Sequence, residues 1–176
     1  MKQRELLKAI QSRTARVAIT ASASRGRGNA GVVKAARNFM RRLDLARFGK
    51  NPAGFTRALN ASTRSLRSKL PRRARHWGSA RKLLNIFLRD CLYSSHLSSA
   101  FGLQRAETAF EVPLDSVTAL CLKRESGRGH LPAWPGVRNL TPQLSKIFQD
   151  AAQVEATRRN VARVHLDAVW WSQSRD

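Results

Sequence analysis

The first 82 residues hold 22 Lys and Arg side chains against two acids, Glu5 and Asp44, a net charge of +20. A field of one sign repels itself unless a polyanion neutralises it. Any fold must therefore keep these side chains at the surface and draw its core from the apolar residues between them. Residues 83–176 hold 11 bases and nine acids, a net of +2. Nearly all of the +22 thus belongs to one half of the chain.

The apolar residues of the basic half recur at helical spacing. Val32, Ala36, Phe39, Met40 and Leu43 form one stripe, and Lys34, Arg37, Arg41 and Arg42 fall outside it. Asn51-Pro52 is a cap followed by a first-turn proline, and Phe55, Leu59, Ser62 and Leu66 then share a face, away from Arg57, Arg64 and Arg67. Residues 2–12 predict a short amphipathic helix. VAIT at 17–20 is the one β-like run, too short to carry a strand. Residues 79–92 are apolar nearly all round, which marks a central buried helix. Residues 94–111 are weakly patterned and are expected to contain a loop. Pro113 is placed to open a helix, SGRGHLPAWPG at 126–136 is a connecting loop, and Thr141-Pro142 caps a further helix. A last helix is predicted from Val161 to Trp171. The expected fold is all-α, one domain of six or seven helices over residues 1–176, with a basic half (1–82) and a near-neutral half (83–176).

Hydrophobic residues make up 42% of the chain, enough for a core. The basic, Ser-rich start resembles a transit peptide in composition. It continues with core-forming periodicity for about eighty residues, so the whole chain is read as mature. No apolar run is long enough to span a bilayer. Cys91 and Cys121 lack metal-ligand spacing with any His, and read as buried thiols in a reducing compartment. A cytoplasmic protein is expected, nucleoid-associated in a bacterium, with no metal and no cofactor. Its partner is expected to be nucleic acid, with duplex DNA first and RNA second, and no membrane. Composition leaves the oligomeric state open.

Residues 24–37 read SRGRGNAGVVKAAR, a literal G-x-G-x-x-G at Gly26, Gly28 and Gly31. A dinucleotide fingerprint needs a strand before it and a second strand after the helix, and neither is present. Small residues feeding a helix N-terminus, with Arg25 and Arg27 as charged donors, suit a phosphate clamp. Gly26, Arg25, Gly28, Arg27, Lys34, Arg37 and Arg41 are therefore candidate nucleic-acid contacts, as are Arg72, Arg73 and Arg75 in the run before Trp77.

The stretch HWGSARKLLNIFLRDCLY, followed by FEVPLDSVTALCLK, resembles the helix-hairpin-helix DNA glycosylase superfamily. In that family a G-x-G-x-K hairpin enters a buried helix, and a later P-[VL]-D opens another. The resemblance spans about residues 76–122 and rests on Gly78-Ser79-Ala80-Arg81-Lys82 and Pro113-Leu114-Asp115. The second hairpin glycine is Ala80 here, and the gap from Lys82 to Asp115 exceeds the family's by roughly a helix. The resemblance implies base excision from damaged or modified DNA, by an N-glycosylase with or without a lyase step. Lys82 would be nucleophile or phosphate contact, and Asp115 the carboxylate that stabilises the oxocarbenium ion or activates water. Gly78 and Arg81 would meet DNA phosphate. Trp77, Tyr93 and Trp134 are candidates for stacking on an extruded base.

Two other readings compete. One is a non-catalytic DNA-binding or architectural protein using the same basic surface. The other is a HEPN-like ribonuclease, because RDCLYSSH fits an R-[polar]-x5-H pattern, with His96 as general acid/base and Arg89 as charge stabiliser.

Overall fold

The computed structural model describes residues 2–23, 30–127 and 129–173. These contain eight α-helices: α1 (Gln3–Ala18), α2 (Ala30–Arg41), α3 (Pro52–Lys69), α4 (Trp77–Tyr93), α5 (Ser95–Phe101), α6 (Ser116–Ser126), α7 (Pro142–Arg158) and α8 (Leu166–Gln173). Four 3-10 helices punctuate them, at Leu45–Arg47, Arg72–Ala74, Leu103–Ala109 and Arg163–His165. No strand occurs among the described residues. The chain is all-helical as expected, with more helices than six or seven. The surplus comes mainly from residues 94–111, expected to contain a loop, which form α5 and a 3-10 helix.

Local signals set most boundaries. Asn51 accepts a hydrogen bond from the Gly54 amide at 2.7 Å, and Thr141 accepts from Leu144 at 3.2 Å, so both caps act as their sequences predict. Residues 17 and 18 of VAIT belong to α1, which runs well past residue 12. The helix expected to start at Pro113 starts at Ser116, with Asp115 as its N-cap. The expected helix 161–171 is a 3-10 turn followed by α8.

The core has two parts. The first gathers α1 to α5 around Met40, Phe48, Phe55, Leu66, Leu84, Phe87 and Phe110. The second lies between α6, α7 and α8 around Val112, Leu122, Phe148 and Trp170. Burying a Leu or Phe side chain is worth roughly 1.5–3 kcal/mol, so each cluster contributes substantially to stability. In the first part, α1 and α2 satisfy one another's C-terminal carbonyls. Buried Gln11 donates to Met40 O and Leu43 O, both at 2.8 Å, while Arg37 donates to Ile19 O and Arg16 O, both at 2.9 Å.

The extended segment 110–114 links the two parts, and polar side chains hold it throughout. Arg163 donates to Phe110 O at 2.9 Å and Ala109 O at 3.2 Å. Gln149 accepts from the Val112 amide and donates to the Val112 carbonyl. Between them Glu111 is gripped by Arg81 of α4 through two bonds of 2.8 and 2.7 Å, with Asn85 adding a third at 3.0 Å. Arg81 Nη1 reaches Asn60 and Thr63 of α3. Burial alone would raise the Glu111 pKa. The Arg81 hydrogen bonds and charge outweigh it and hold that carboxyl below its usual range.

Gly78, in the first turn of α4, lies against residues 137–140. A Cβ there would fall 2.2 Å from Val137 O and 2.7 Å from Leu140 Cβ. Gly78→Ala is therefore expected to force α4 off this backbone and destabilise the protein by about 1–3 kcal/mol, read by thermal unfolding. Glu111→Gln leaves the Arg81 charge buried without its counter-charge, and should cost about 3–5 kcal/mol at neutral pH. Because Glu111 is held down, its contribution is complete above the unfolded carboxylate range and is lost as pH falls through its lower folded pKa. The stability gap between the two proteins should therefore close in acid.

Candidate active site and basic surface

Arg81 and Lys82 are neighbours on α4, and each holds a carboxylate at one end of the same segment. Arg81 takes Glu111; Lys82 Nζ lies 3.2 Å from Asp115 Oδ2. The other Asp115 oxygen, Oδ1, accepts from the Val117 and Thr118 amides at 3.0 Å each, closing the N-terminus of α6. Thr118 Oγ1 donates back to Pro113 O at 3.1 Å. Asp115 is thus fixed on both oxygens, and the Lys82–Asp115 pair opens into a cavity of about 800 Å³. The cavity lies where the two cores meet. Ala18 and Ile86 line it from the first, and Trp134 and Trp170 from the second.

Further along α4 the same cavity meets a second ionic group. Arg89 donates through Nε and Nη2 to Asp90 at 2.9 and 2.8 Å, and through Nη1 to Asp167 at the start of α8. Burial disfavours the Arg89 cation, but Asp90 and Asp167 together hold its pKa above the ordinary value. Burial pushes the Asp167 carboxyl above its usual range against the pull of Arg89, and the Asp115 charge adds to that rise. Tyr93 is exposed on one side and stacks on His165 with centroids 5.6 Å apart. Its hydroxyl lies 3.0 Å from His165 Nδ1, and His165 Nε2 lies 3.0 Å from Glu107. Burial raises the Tyr93 pKa, partly offset by Arg89.

Of the residues singled out in the sequence, Lys82, Asp115, Tyr93 and Trp134 all line this cavity. Trp134 meets Phe148 edge to face at 5.2 Å. Trp77 packs beneath the Arg81 guanidinium, 5.2 Å from its ring centre, and is not among the cavity walls. Two expectations are corrected. Arg81 is 6% exposed and bound to Glu111, so it cannot reach an external phosphate. Gly78 is buried against Val137 and allows close helix packing rather than close approach of DNA. Arg89 is bound by two carboxylates and His96 is exposed on α5, so the ribonuclease pattern lacks a free cation. Cys91 is buried with its thiol pushed up by burial, and Cys121 is only partly covered; both are free. Sequence reasoning sets Asp167 and Trp170 aside, because on RVHLDAVWW read as one continuous helix His165 and Asp167 face different ways and Trp170 reads as core.

The basic surface lies over the first core. Lys34, Arg41, Arg72, Arg73 and Arg75 are exposed, whereas Arg37 is half-buried in its bonds to the end of α1. Arg25, Gly26, Arg27 and Gly28 lie outside the described residues. Among the described residues no Lys or Arg before Arg81 is in an ion pair. A groove of about 640 Å³ between α2 and α3 adds Arg42, Arg47 and Lys69, with Asn38 and Ser65 beside them. Its one acid, Asp44, caps the 3-10 helix at 45–47 by accepting from the Ala46 amide. In the sequence these three cations look like general surface charge. No metal-ligand cluster occurs among the described residues, and no helix of the described residues is long and apolar enough to cross a membrane.

No family model, curated protein or solved structure matches the chain.

Asn caps helices about as well as Asp, so Asp115→Asn keeps the cap and loses only the charge that faces Lys82. Asp115→Ala loses the cap as well and should be less stable than Asp115→Asn by about 1 kcal/mol. Thermal unfolding of the two variants separates the capping role of Asp115 from any chemical one.

Proposed function

We propose that this protein binds nucleic acid, duplex DNA first, through its basic half and excises a base at the cavity beside Lys82 and Asp115. The observation that carries the proposal is the Lys82–Asp115 pair, a carboxylate fixed on both oxygens at the wall of a cavity with aromatic sides. Cleavage of an N-glycosidic bond develops positive charge on the sugar. A carboxylate held in place before the reaction stabilises that charge without reorganisation. Lys82 gives Asp115 its counter-charge, and Trp134 offers an indole face for an extruded base. The resemblance to helix-hairpin-helix glycosylases assigns the same two residues, although Gly78 and Arg81 do not take the hairpin role it implies.

The unpaired cations around α2, α3 and residues 72–75 suit backbone phosphates, which position a duplex without reading its sequence. They also serve the second reading, a binding protein without catalysis, and the two differ in turnover alone. The decisive experiment incubates the protein with undamaged, alkylated and naturally modified DNAs and detects free bases by mass spectrometry. Base release is expected, and Asp115→Asn should abolish it while leaving DNA affinity intact. Salt-sensitive binding with no release from any DNA would move the assignment to the architectural reading. Separately, Arg42→Ala, Arg47→Ala and Lys69→Ala together should reduce the salt dependence of binding by roughly one unit of slope for each cation that contacts phosphate.

A further inference from the structure

Among the described residues, the cavity carries more acid than base, in a protein whose charge is overwhelmingly positive. Asp90, Asp115 and Asp167 line it, with Lys82 and Arg89 as the cations of the described wall. The five groups are not equally matched. Asp115 is in direct contact with Lys82 and takes two backbone amides besides, whereas Lys82 acts on Asp167 only through its charge. Asp90 receives two of the Arg89 hydrogen bonds, leaving Asp167 a share of a cation already engaged. Three carboxylates lining one cavity resist being charged together when two cations serve them, and a proton on one of them relieves the excess. Asp167 is the one least compensated. Among the described residues, the charged or titratable groups facing it are Lys82, Arg89, Asp90 and Tyr93 from α4, and Asp115 from the start of α6. Its raised pKa agrees with that placement of the proton. Trp170, one turn along α8, lines the same cavity, so α8 presents an acid and an indole together.

We infer that Asp167 is a second catalytic carboxyl of this cavity, which protonates the departing base while Asp115 takes a proton from the attacking water. The inference rests on the base-excision reading. In the step, the water oxygen bonds to the sugar C1′ and the C1′–N bond breaks. Its electron pair goes to the base nitrogen, which receives the Asp167 proton, and the proton lost by water passes to Asp115. Asp167 then becomes a carboxylate opposite Arg89, and exchange with solvent returns the proton. Two carboxyls of opposite protonation state in one site are the requirement for acid and base chemistry at a single pH.

The first test needs no substrate. In protein labelled with 13C-aspartate, with the signal assigned through Asp167→Asn, the Asp167 carboxyl should titrate above the ordinary aspartate range. Titration within or below that range overturns the inference. The second test compares release of hypoxanthine and 7-methylguanine from duplex DNA. Hypoxanthine needs a proton to leave, whereas 7-methylguanine already carries positive charge. Asp167→Asn should slow hypoxanthine release by about 10²–10⁴-fold, the usual range for a lost general acid, and 7-methylguanine release by less than about tenfold. Equal slowing of both would mark a structural role, and no slowing would remove any role; either sinks the inference alone. An unaltered protein that releases only the cationic base has no use for a proton donor, and that result also overturns the inference alone. Release of neither base, nor of any other, overturns the base-excision reading and this inference with it.

Discussion

The site depends on the grip of Arg81 on Glu111. A buried ion pair of this kind offers little net stability against an apolar pair of equal volume, because both charges must be stripped of water. What it supplies is position. Arg81 ties α4 to α3 through Asn60 and Thr63 and to the segment 110–114 through Glu111. With that segment placed, Asp115 arrives opposite Lys82, one residue beyond Arg81 on the same helix. Gln149 and Arg163 fix its backbone from the other side. One residue aims inward to hold the frame and the next aims into the cavity.

The charge distribution divides the labour. The helices over the first core turn cations outward without internal counter-charges, whereas the cavity between the cores collects acids. A polyanion attracted by the surface would find the cavity electrostatically uncongenial to phosphate and better suited to a group bearing positive charge. The wall of the cavity also runs through residues 20, 22 and 23, directly before the glycine-rich stretch.

Local chemistry makes much of the architecture legible without coordinates. The stripe through Val32, Ala36 and Met40, the caps at Asn51 and Thr141, and the apolar helix around Phe87 all follow from spacing and turn residues. Lys82 and Asp115 are reached through a family pattern, and the structure brings them together. What sequence cannot show are partners far along the chain. Arg81 reads as one more surface cation until Glu111, thirty residues later, is placed against it. Gly78 reads as a hairpin glycine until Val137 is seen over it. Residues 94–111 defeat periodicity because α5 is only seven residues long and the next element is 3-10. Asp167 is hidden while 161–171 is taken for one helix; the 3-10 turn ending at His165 re-aims the residues that follow.

The segment 110–114 places Phe110 in the first core and Val112, two residues on, in the second. The electrostatic boundary near residue 82 is different in kind, since it passes through the middle of α4. A basic fragment ending there would lose Leu83, Leu84, Phe87 and Leu88, on which its own core closes. The polycationic half is thus not a detachable tail. Its ability to present an ordered face to a ligand is inherited from the neutral half, and a proteolytic dissection guided by charge would cut across the unit it meant to isolate.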